Sequence, residues 1–450
     1  MKLEDIKNVY FVGIGGIGMS AIARYFKNIG INVAGYDKTP SQLTHELEQE
    51  GIAIHYTDDC NLIADIYKNK NQTLVVYTPA IPKNHTELNF FLNENFVVKK
   101  RAEVLGIITK DTFCFAVAGT HGKTTTSSML GHILYESGED VTAFLGGIVE
   151  NYQSNLIGQG KTITVVEADE FDRSFLHLHP NLACVTSMDA DHLDIYGDEQ
   201  HVIDSFNEFA AKVNPEHLFI NNGLPLQALK VGINDASDFE ALDVKIENGW
   251  YVFSVKTPTE IITNVKLALP GHHNLTNALL AFAMAYTYGV PAYKIVNALQ
   301  TFKGVRRRFS YQIRGNDLVF IDDYAHHPTE INAVHQAVRE LYPNKKIVAV
   351  FQPHLFTRTR DFIDGFAQSL SNFDEILLLD IYPARELPIE GVNSTWLLDK
   401  IENQNKILVE KQSLIKNILD REFDVLVTIG AGDIGEMIHE IKDALNAKKN

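Results

Sequence analysis

The sequence contains little cysteine and carries no surplus of positive charge. Its 450 residues include three cysteines, Cys60, Cys114 and Cys184, and their wide spacing argues against a disulfide framework or a cysteine-based metal site. A formal net charge of −17 argues against a nucleic-acid partner, because no basic excess is available to neutralise phosphates. No apolar run approaches membrane-spanning length, and the first residues lack the basic and apolar regions of a signal peptide. We therefore expect a soluble, cytoplasmic enzyme without membrane insertion.

Short apolar segments alternate with helical patterns in the first and last parts of the chain. In the first part they predict the strands Val9–Val12, Asn32–Gly35, Ile52–His55, Leu74–Tyr77 and Phe96–Val98. In the last part they predict the strands Leu318–Ile321, Lys346–Phe351, Glu375–Leu379 and Val425–Ile429. Such alternation is typical of parallel sheets that are covered by helices on both faces. A chain of 450 residues is also too long for one core, so several domains are expected.

A glycine-lined turn and a lysine lie between a strand and a helix further along the chain. The segment Phe113–Ala118 predicts a buried strand, and an apolar stripe predicts a helix that begins at Lys123. Backbone N–H groups and the helix dipole stabilise an anionic phosphate at such a turn. Lys123 would reach the outer phosphates of a nucleotide, and the Thr124 hydroxyl would hold Mg²⁺. The full phosphate-loop pattern has a glycine where this chain has Val117, so an ordinary glycine-rich turn is the alternative.

Polar residues follow the strands that would flank this turn. Glu167 comes directly after the predicted strand Thr162–Val166, where phosphate-loop folds place the carboxylate that holds Mg²⁺. A second predicted strand, Ala183–Ser187, leads into an acidic segment that contains His192. Further on, Asn274 and Asn277 lie three residues apart at the start of a helix, so both amides can face one ligand.

The first domain carries a glycine motif of its own. Gly13-Ile-Gly-Gly-Ile-Gly18 follows a strand and opens a helix, and Asp37 ends the next strand. Taken alone, this pattern indicates a dinucleotide site in which Asp37 holds a ribose hydroxyl, so an NAD-dependent dehydrogenase is one interpretation. The pattern itself requires only a diphosphate at the helix N-terminus, and a UDP-sugar also carries one.

The string Gly119-Thr-His-Gly-Lys-Thr-Thr-Thr126 resembles the nucleotide loop of the Mur ligases, the ATP-dependent amide-forming enzymes of bacterial cell-wall synthesis. The resemblance covers nearly the whole chain and is strongest to the alanine-adding branch. Some relatives carry a carbamylated lysine beyond the His192 segment, whereas residues 194–211 contain no lysine here. The resemblance implies ATP and Mg²⁺ as cofactors and UDP-N-acetylmuramate and L-alanine as substrates. ATP would phosphorylate the muramyl carboxylate, and the alanine amine would then displace phosphate from the acyl phosphate.

Patterns and resemblance together predict an α/β fold of three domains. Residues 1–108 would form a Rossmann-like domain that binds the UDP-sugar, and residues 109–310 a P-loop-type central ATPase domain. Residues 311–450 would form a second Rossmann-like domain that binds the amino acid and completes the ATP site. We expect a monomer or a homodimer.

The resemblance also assigns roles to individual residues. The UDP-sugar would contact Gly15, Gly16, Gly18, Ser20, Asp37, Thr78, Ala80 and Ile81. ATP would contact Gly119, Thr120, His121, Gly122, Lys123, Thr124, Thr125, His273, Asn274, Asn277, Arg308 and Asp323. Mg²⁺ would be held by Thr124, Glu167 and His192, although histidine is an unusual ligand for a hard cation. The catalytic set is Lys123, Glu167, His192 and Arg308, the last of three successive arginines that could instead form a solvated hinge.

The substrate side of the third domain falls on two strand ends. Asp322-Asp-Tyr-Ala-His-His-Pro328 lies where open α/β sheets bind ligands, which brings Tyr324, His326 and His327 to the cleft. Either histidine is a candidate base for the alanine amine. Arg358 could hold the alanine carboxylate through a bidentate contact, although many relatives have arginine where this chain has Leu355.

Three alternatives remain at this point. A ligase that recycles an intact tripeptide would share the central domain, but its opening glycine motif would be expected to differ. An NAD-dependent dehydrogenase would explain the first motif and not the second. A nucleotide sensor without enzymatic activity would leave the acidic residues around Glu167 unexplained.

Overall fold

The computed structural model describes residues 5–189, 199–247, 249–315, 317–384 and 386–449. Within these ranges the chain is an α/β protein with three sheets, which follow one another in sequence order. The strands predicted from apolar segments are present, with ends shifted by at most two residues. The predicted position of His192 lies outside the described residues.

The first sheet has five strands in the order β3-β2-β1-β4-β5, all parallel. Its strands are β1 Asn8–Val12, β2 Asn32–Tyr36, β3 Ala53–His55, β4 Thr73–Tyr77 and β5 Val97–Lys100. Its helices are α1 Ile17–Asn28, α2 Gln42–Gln49, α3 Thr86–Asn93 and α4 Arg101–Lys110. Successive residues of β1 serve two cores, because Phe11 packs with Phe26 of α1 whereas Tyr10 packs with Phe91 of α3. Both faces of the sheet are therefore covered, as the alternating pattern predicts.

The second sheet has ten strands in the order β15-β14-β13-β12-β11-β10-β6-β9-β7-β8. The strands that flank the site are β6 Phe113–Ala118, β7 Val141–Val149, β8 Ser154–Ile157, β9 Ile163–Ala168 and β10 Leu182–Val185. The remaining strands are β11 Leu218–Asn221, β12 Leu229–Ile233, β13 Phe239–Glu247, β14 Trp250–Lys256 and β15 Ile261–Leu267. The helices are α5 Lys123–Glu136, α6 Glu199–Ala210, α7 His272–Tyr288 and α8 Ala292–Thr301. Strand β6 pairs in parallel with β9 and β10, so the loop after β6 lies between the ends of those two strands.

The third sheet has six strands in the order β16-β17-β21-β18-β19-β20, parallel except for the edge strand β16. Its strands are β16 Ser310–Arg314, β17 Val319–Asp323, β18 Ile347–Phe351, β19 Glu375–Leu378, β20 Lys406–Leu408 and β21 Val425–Ile429. Its helices are α9 Pro328–Leu341, α10 Phe356–Asp361, α11 Ile363–Ser371, α12 Ser394–Lys400, α13 Leu414–Leu419 and α14 Ile438–Lys449.

The chain divides into two compact units. The first comprises Met1–Val244, Phe253–Val265 and Thr276–Phe302, and the second comprises Lys245–Val252, Lys266–Leu275 and Lys303–Asn450. The first sheet and most of the second share a unit, while the third sheet and short parts of β13, β14 and β15 belong to the other. The predicted boundary after residue 108 falls in the last turn of α4. Among the described residues, no helix combines the length and the apolar character needed to cross a membrane.

Candidate active site

The turn between β6 and α5 depends on two glycines. Gly119 has φ +130° and Gly122 has φ +84°, and this region of backbone space favours glycine. A Cβ atom on Gly122 would also come within 2.6 Å of Asn277 Oδ1 on α7. The turn therefore lies close against α7, and of the two asparagines predicted to bind nucleotide, Asn277 is the one beside it.

The end of β10 holds the same turn from the other side. Ser187 accepts two backbone N–H groups, from Thr120 at 3.2 Å through its carbonyl and from His121 at 2.8 Å through its hydroxyl. The Thr120 hydroxyl donates to the carbonyl of Asp189 at 2.9 Å, and His121 Nε2 lies 3.2 Å from the Asp189 carboxylate. These bonds use the donors at the start of the turn. The first N–H groups of a helix such as α5 have no acceptor within the helix, and a helix N-terminus of this kind favours an anion.

Lys123 is half-buried beside a carboxylate. Its ammonium donates to both oxygens of Glu170, at 3.0 and 2.8 Å, and to the carbonyl of Gly119 at 2.5 Å. Burial acts to lower the pKa of Lys123, but the Glu170 and Asp169 carboxylates outweigh it and the pKa is raised. Burial raises the pKa of Glu170 in spite of the lysine. The lysine is therefore charged and directed at the turn.

Glu167 stands at the end of β9 and faces the first turns of α5. It accepts bonds from the hydroxyls of Thr124 and Ser127, each at 3.2 Å, and from the Gly146 N–H at 2.5 Å. Burial raises the pKa of Glu167, although these donors oppose the shift. A hydroxyl and a carboxylate side by side form an oxygen donor set of the kind that Mg²⁺ prefers. The described residues contain no group of three or more His, Cys, Asp or Glu arranged to hold a metal.

Several of the residues predicted to bind the UDP-sugar lie at the carboxyl edge of the first sheet, whereas Ser20 is buried behind it. The Gly15 N–H donates to Asp37 Oδ2 at 2.7 Å, so the loop after β1 is tied to the end of β2. A Cβ atom on Gly13 would lie 2.8 Å from Thr78 and 3.2 Å from Ile81, which brings the end of β4 against the same loop. Ala80, between them, is exposed. Ser20 is buried in the first turn of α1, where its hydroxyl donates to the Ile17 carbonyl at 2.9 Å.

Sequence reasoning missed Arg101, at the start of α4. A Cβ atom on Gly18 would lie 2.9 Å from Arg101 Nη1, so the guanidinium covers the first turn of α1. Its other terminal nitrogen, Nη2, donates to Asp169 at 3.0 Å. Asp169 lies two residues after Glu167, in the acidic segment that follows β9. Arg101 thus connects the first glycine motif with the acidic segment of the central domain. Its place at the end of β5, on the ligand edge of a parallel sheet, was the available signal.

In the second unit, Asp323 ends β17 and is buried. Its carboxylate accepts the backbone N–H groups of Phe309 at 2.7 Å and Ala325 at 2.8 Å. Burial raises the pKa of Asp323 to about 6, while nearby Arg308 acts in the opposite direction. The Arg308 guanidinium lies 5.2 Å from the centre of the Tyr324 ring and 3.8 Å from Glu330. Both residues thus lie at the carboxyl edge of the third sheet.

Arg307 differs from its neighbour. Its Nε donates to Asp322 at 3.0 Å and its Nη2 to the Gly430 carbonyl at 2.6 Å. Gly430 opens the glycine-rich turn Gly430-Ala-Gly-Asp-Ile-Gly435 after β21, so Arg307 ties that turn to β17. Both guanidiniums lie 5.2 Å from the Tyr324 ring, but their polar partners differ.

The two adjacent histidines also diverge. His326 Nδ1 donates to the Tyr324 carbonyl at 2.9 Å, which leaves Nε2 with the lone pair of a neutral ring. His327 caps α9, since its Nδ1 accepts the Thr329 N–H at 3.3 Å, and its ring packs on Phe362. Burial lowers the pKa of His326. A neutral imidazole with an available nitrogen suits a proton acceptor.

Arg358 is 8% exposed and lies 3.4 Å from His354 Nδ1. The His354 ring in turn lies 6.1 Å from His326, so the predicted carboxylate clamp and the candidate base share one neighbourhood. Leu355, where relatives often have arginine, has φ +72° at the start of α10.

The remaining predicted residues lie at the start of α7. Asn274 is buried in the first turn of α7, and its amide nitrogen donates to the Pro270 carbonyl just before the helix at 2.7 Å. His273 is exposed. The Gly271 N–H donates to the hydroxyl of buried Tyr251 at 3.1 Å, and this hydroxyl also bonds to Glu340.

Comparison with known proteins covers almost the whole chain. Three family profiles match it: Mur ligase family, catalytic domain, over residues 8–112; Mur ligase middle domain, over residues 117–285; and Mur ligase, glutamate ligase domain, over residues 307–442. The UDP-N-acetylmuramate–L-alanine ligase of Flavobacterium psychrophilum is 70% identical over 449 residues, covering 100% of both chains. The crystal structure of the UDP-N-acetylmuramate–alanine ligase of Thermotoga maritima is 27% identical, with a TM-score of 0.84 over 98% of this chain and 99% of that one. A murein peptide ligase of Psychrobacter arcticus, 24% identical over 99% of both chains, has the same fold with a TM-score of 0.71.

Proposed function

This chain belongs to the Mur ligase family, and we propose that it joins L-alanine to the carboxylate of UDP-N-acetylmuramate in the synthesis of peptidoglycan precursors. It is an ATP-dependent ligase that forms an amide bond. The observation that carries the assignment is the 70% identity, over the full length of both chains, to a ligase with this activity.

The reaction needs an activated carboxylate. The muramyl carboxylate takes the outer phosphoryl group of ATP, and the alanine amine attacks the acyl phosphate, from which phosphate leaves. The charge that develops on the phosphate oxygens is offset by fixed cations in a site that excludes water. Lys123 fits this role because its ammonium is held at the glycine turn by Glu170 and by the Gly119 carbonyl. In the third domain, Arg308 is the cation assigned to the transferring phosphate, and Asp323 is assigned to the nucleotide ribose.

Mg²⁺ is the proposed metal cofactor. Thr124 and Glu167 would hold it, together with His192, and the Thr124 hydroxyl already lies 3.2 Å from Glu167. A bound Mg²⁺ would neutralise phosphate charge and orient the outer phosphates. Ser127 and the Gly146 N–H would fix the orientation of the Glu167 carboxylate.

The alanine site is assigned to the third domain. Arg358 would hold the alanine carboxylate, and the buried setting of its guanidinium favours a paired anion. His326 is the preferred proton acceptor for the amine, because His327 is committed to capping α9. Tyr324 lies beside Arg308 and His326 and would complete the wall of this site.

The UDP-sugar is assigned to the first domain. Gly15, Gly16 and Gly18 would receive the diphosphate at the start of α1, with Thr78, Ala80 and Ile81 on the opposite side. Asp37 supports the loop through its bond to the Gly15 N–H. The same geometry would accept a dinucleotide. An NAD-dependent enzyme, however, does not require the lysine and the carboxylates that lie at the turn between β6 and α5.

The test is phosphate release from ATP in the presence of Mg²⁺ and UDP-N-acetylmuramate, with L-alanine or the intact tripeptide as the amine. We expect stoichiometric phosphate and a product heavier by one alanine residue with L-alanine, and neither with the tripeptide. A preference for the tripeptide would overturn the proposal in favour of a recycling ligase. Absorbance at the nicotinamide wavelength, measured with NAD and UDP-N-acetylmuramate, should not change. Sedimentation of the same preparation would decide between a monomer and a homodimer, the two states that we propose, and fractionation of cells would test the proposed cytoplasmic location.

A further inference from the structure

The hairpin β7–β8 contacts both halves of the proposed reaction centre within the first unit. The strands pair antiparallel at Phe144–Leu156 and again at Val149–Ser154, and the register is irregular between Phe144 and Val149. Gly146 lies in this irregular part of β7, and Asn155 lies in β8. Such bulges commonly redirect a strand beside a functional site.

Asn155 is fully buried, and its side-chain amide forms hydrogen bonds with α1. The amide nitrogen donates to the Ile17 carbonyl at 2.6 Å and to the Ser20 hydroxyl at 2.9 Å. The amide oxygen accepts Arg24 Nη1 at 2.5 Å. All three bonds go to the first two turns of α1, the helix that follows the first glycine motif. Because the amide has a donor side and an acceptor side, this arrangement fixes one orientation of the side chain.

Arg24 extends the contact to α2. It is 5% exposed, and its Nε and Nη2 bind the Glu50 carboxylate at 2.9 and 2.7 Å. Two-point contacts of this kind hold a guanidinium in one geometry. Helix α1 is therefore joined to the edge strand β8 by a buried polar network rather than by apolar packing alone.

On the other strand of the hairpin, the Gly146 N–H donates to Glu167 at 2.5 Å. A Cβ atom on Gly146 would come within 2.5 Å of Glu167 Oε2, so no other residue fits without moving the carboxylate. One short element thus contacts the proposed metal ligand and the proposed diphosphate helix.

We propose that the hairpin β7–β8 sets the distance between the two reacting substrates, and that Asn155 is the positioning residue that holds α1 in register with Glu167. The inference rests on the proposed function, since it takes α1 as the UDP-sugar helix and Glu167 as the metal ligand. Phosphoryl transfer needs the reacting atoms about 3–3.5 Å apart, and a displacement of about 1 Å can cost on the order of 100-fold in rate. A side chain that contacts neither substrate can therefore control turnover.

The test compares Asn155→Ala with Asn151→Ala. Asn151 lies in the turn of the same hairpin, and its amide donates to Thr301 rather than to α1. For Asn155→Ala we expect kcat at saturating substrates to fall roughly 10- to 100-fold. The Kd of a non-hydrolysable ATP analogue and the KM for L-alanine should stay within about twofold of wild type. The substitution displaces α1 but leaves the internal geometry of the ATP and alanine sites unchanged. Asn151→Ala should keep the wild-type kcat.

A purely structural role would give a different pattern. Loss of folded protein lowers the number of active sites and leaves the kcat of each remaining site unchanged. Active sites are therefore counted from the stoichiometry of ATP-analogue binding, well below the midpoint of thermal unfolding. Arg24→Lys keeps the charge beside Glu50 but loses the fork that also reaches Asn155, so we expect an intermediate loss of kcat per site.

The outcomes separate the two proposals. A wild-type protein that forms no alanine product would overturn the proposed function. A wild type that forms it, with Asn155→Ala showing an unchanged kcat per site, would overturn the positioning role alone.

Discussion

The Lys123 ammonium and the Glu170 carboxylate form an ion pair with an N–O distance of 2.8 Å at the glycine turn. The side chain of Glu170 is 4% exposed and that of Lys123 is 16% exposed. A carboxylate this deeply buried depends on its cation, and the cation is the one assigned to the ATP phosphates. The lysine proposed to act in catalysis is therefore also the partner of a buried carboxylate.

We expect Lys123→Met to abolish turnover while the protein remains folded. The substitution removes a charge that acts mainly in the transition state. It also leaves Glu170 without this cation, and breaking a buried pair typically costs about 3–5 kcal/mol. Phosphate release and thermal unfolding of the purified variant measure the two effects. Normal ADP production would show that the ATP site lies elsewhere.

The stability loss in Lys123→Met should depend on pH. Burial raises the pKa of Glu170 above its ordinary value, so in the variant the native state holds a proton where the unfolded chain has released it. The deficit relative to wild type should therefore shrink as pH falls through the folded-state pKa and be largest at high pH. Lys123→Met combined with Glu170→Gln should restore stability at high pH without restoring turnover. A deficit independent of pH would contradict the coupling.

Glu167→Ala and His192→Ala should each raise the Mg²⁺ concentration needed for half-maximal activity, or stop the reaction. Loss of an oxygen or nitrogen ligand weakens metal binding without touching the first domain, so affinity for UDP-N-acetylmuramate should change little. Glu94→Ala, an exposed carboxylate at the end of α3, is the matched control. Titration of Mg²⁺ in the activity assay and calorimetry with the UDP-sugar provide the readouts. Unchanged Mg²⁺ dependence in both variants would place the metal elsewhere.

Arg101→Ala should raise the KM for UDP-N-acetylmuramate roughly 10- to 100-fold, because a hydrogen bond to a charged group contributes about 1.5–3 kcal/mol. Arg101→Lys should fall between the variant and wild type, since lysine keeps the charge but not the fork that reaches both Gly18 and Asp169. Lys99→Ala removes a nearby cation that pairs with Glu103. It should leave the KM for UDP-N-acetylmuramate and the KM for ATP unchanged. If the KM for ATP rose instead, Arg101 would serve the acidic segment rather than the UDP-sugar.

Local signals in the sequence were sufficient for most of the fold. Strand Phe113–Ala118 is apolar throughout and Val425–Ile429 is apolar except for Thr428, as is typical of buried parallel strands, and both form where predicted. The start of α5 at Lys123 followed from the glycine turn before it. These features depend on neighbouring residues, which a pattern can capture.

Contacts between distant segments could not be predicted in this way. Asn155 and Ile17 are 138 residues apart, and Arg101 and Asp169 are 68 apart, so their meeting depends on how one sheet packs on the next. The different hydrogen bonds of His326 and His327 could not be predicted from the sequence either, because they depend on which ring caps α9. The periodicity of apolar residues predicts the face of a helix or strand on which a side chain lies. It does not predict which residue that side chain contacts.

The adjacent arginines Arg307 and Arg308 provide the last prediction. Arg307 binds Asp322, whose side chain is 1% exposed, so Arg307→Ala leaves an uncompensated buried carboxylate and should lower stability by about 3–5 kcal/mol. The Arg308 side chain is 32% exposed and its nearest carboxylate contact, with Glu330, is 3.8 Å, so Arg308→Ala should leave the unfolding midpoint almost unchanged. If Arg308 contacts the transferring phosphate, its loss should reduce kcat roughly 100- to 1,000-fold, as for other fixed donors to a developing charge. Thermal unfolding and kcat at saturating substrates are measured on both variants. Each variant serves as the control for the other, because one should lose stability and the other activity. The reverse pattern, a stable but inactive Arg307→Ala beside an unstable but active Arg308→Ala, would assign the phosphate contact to Arg307.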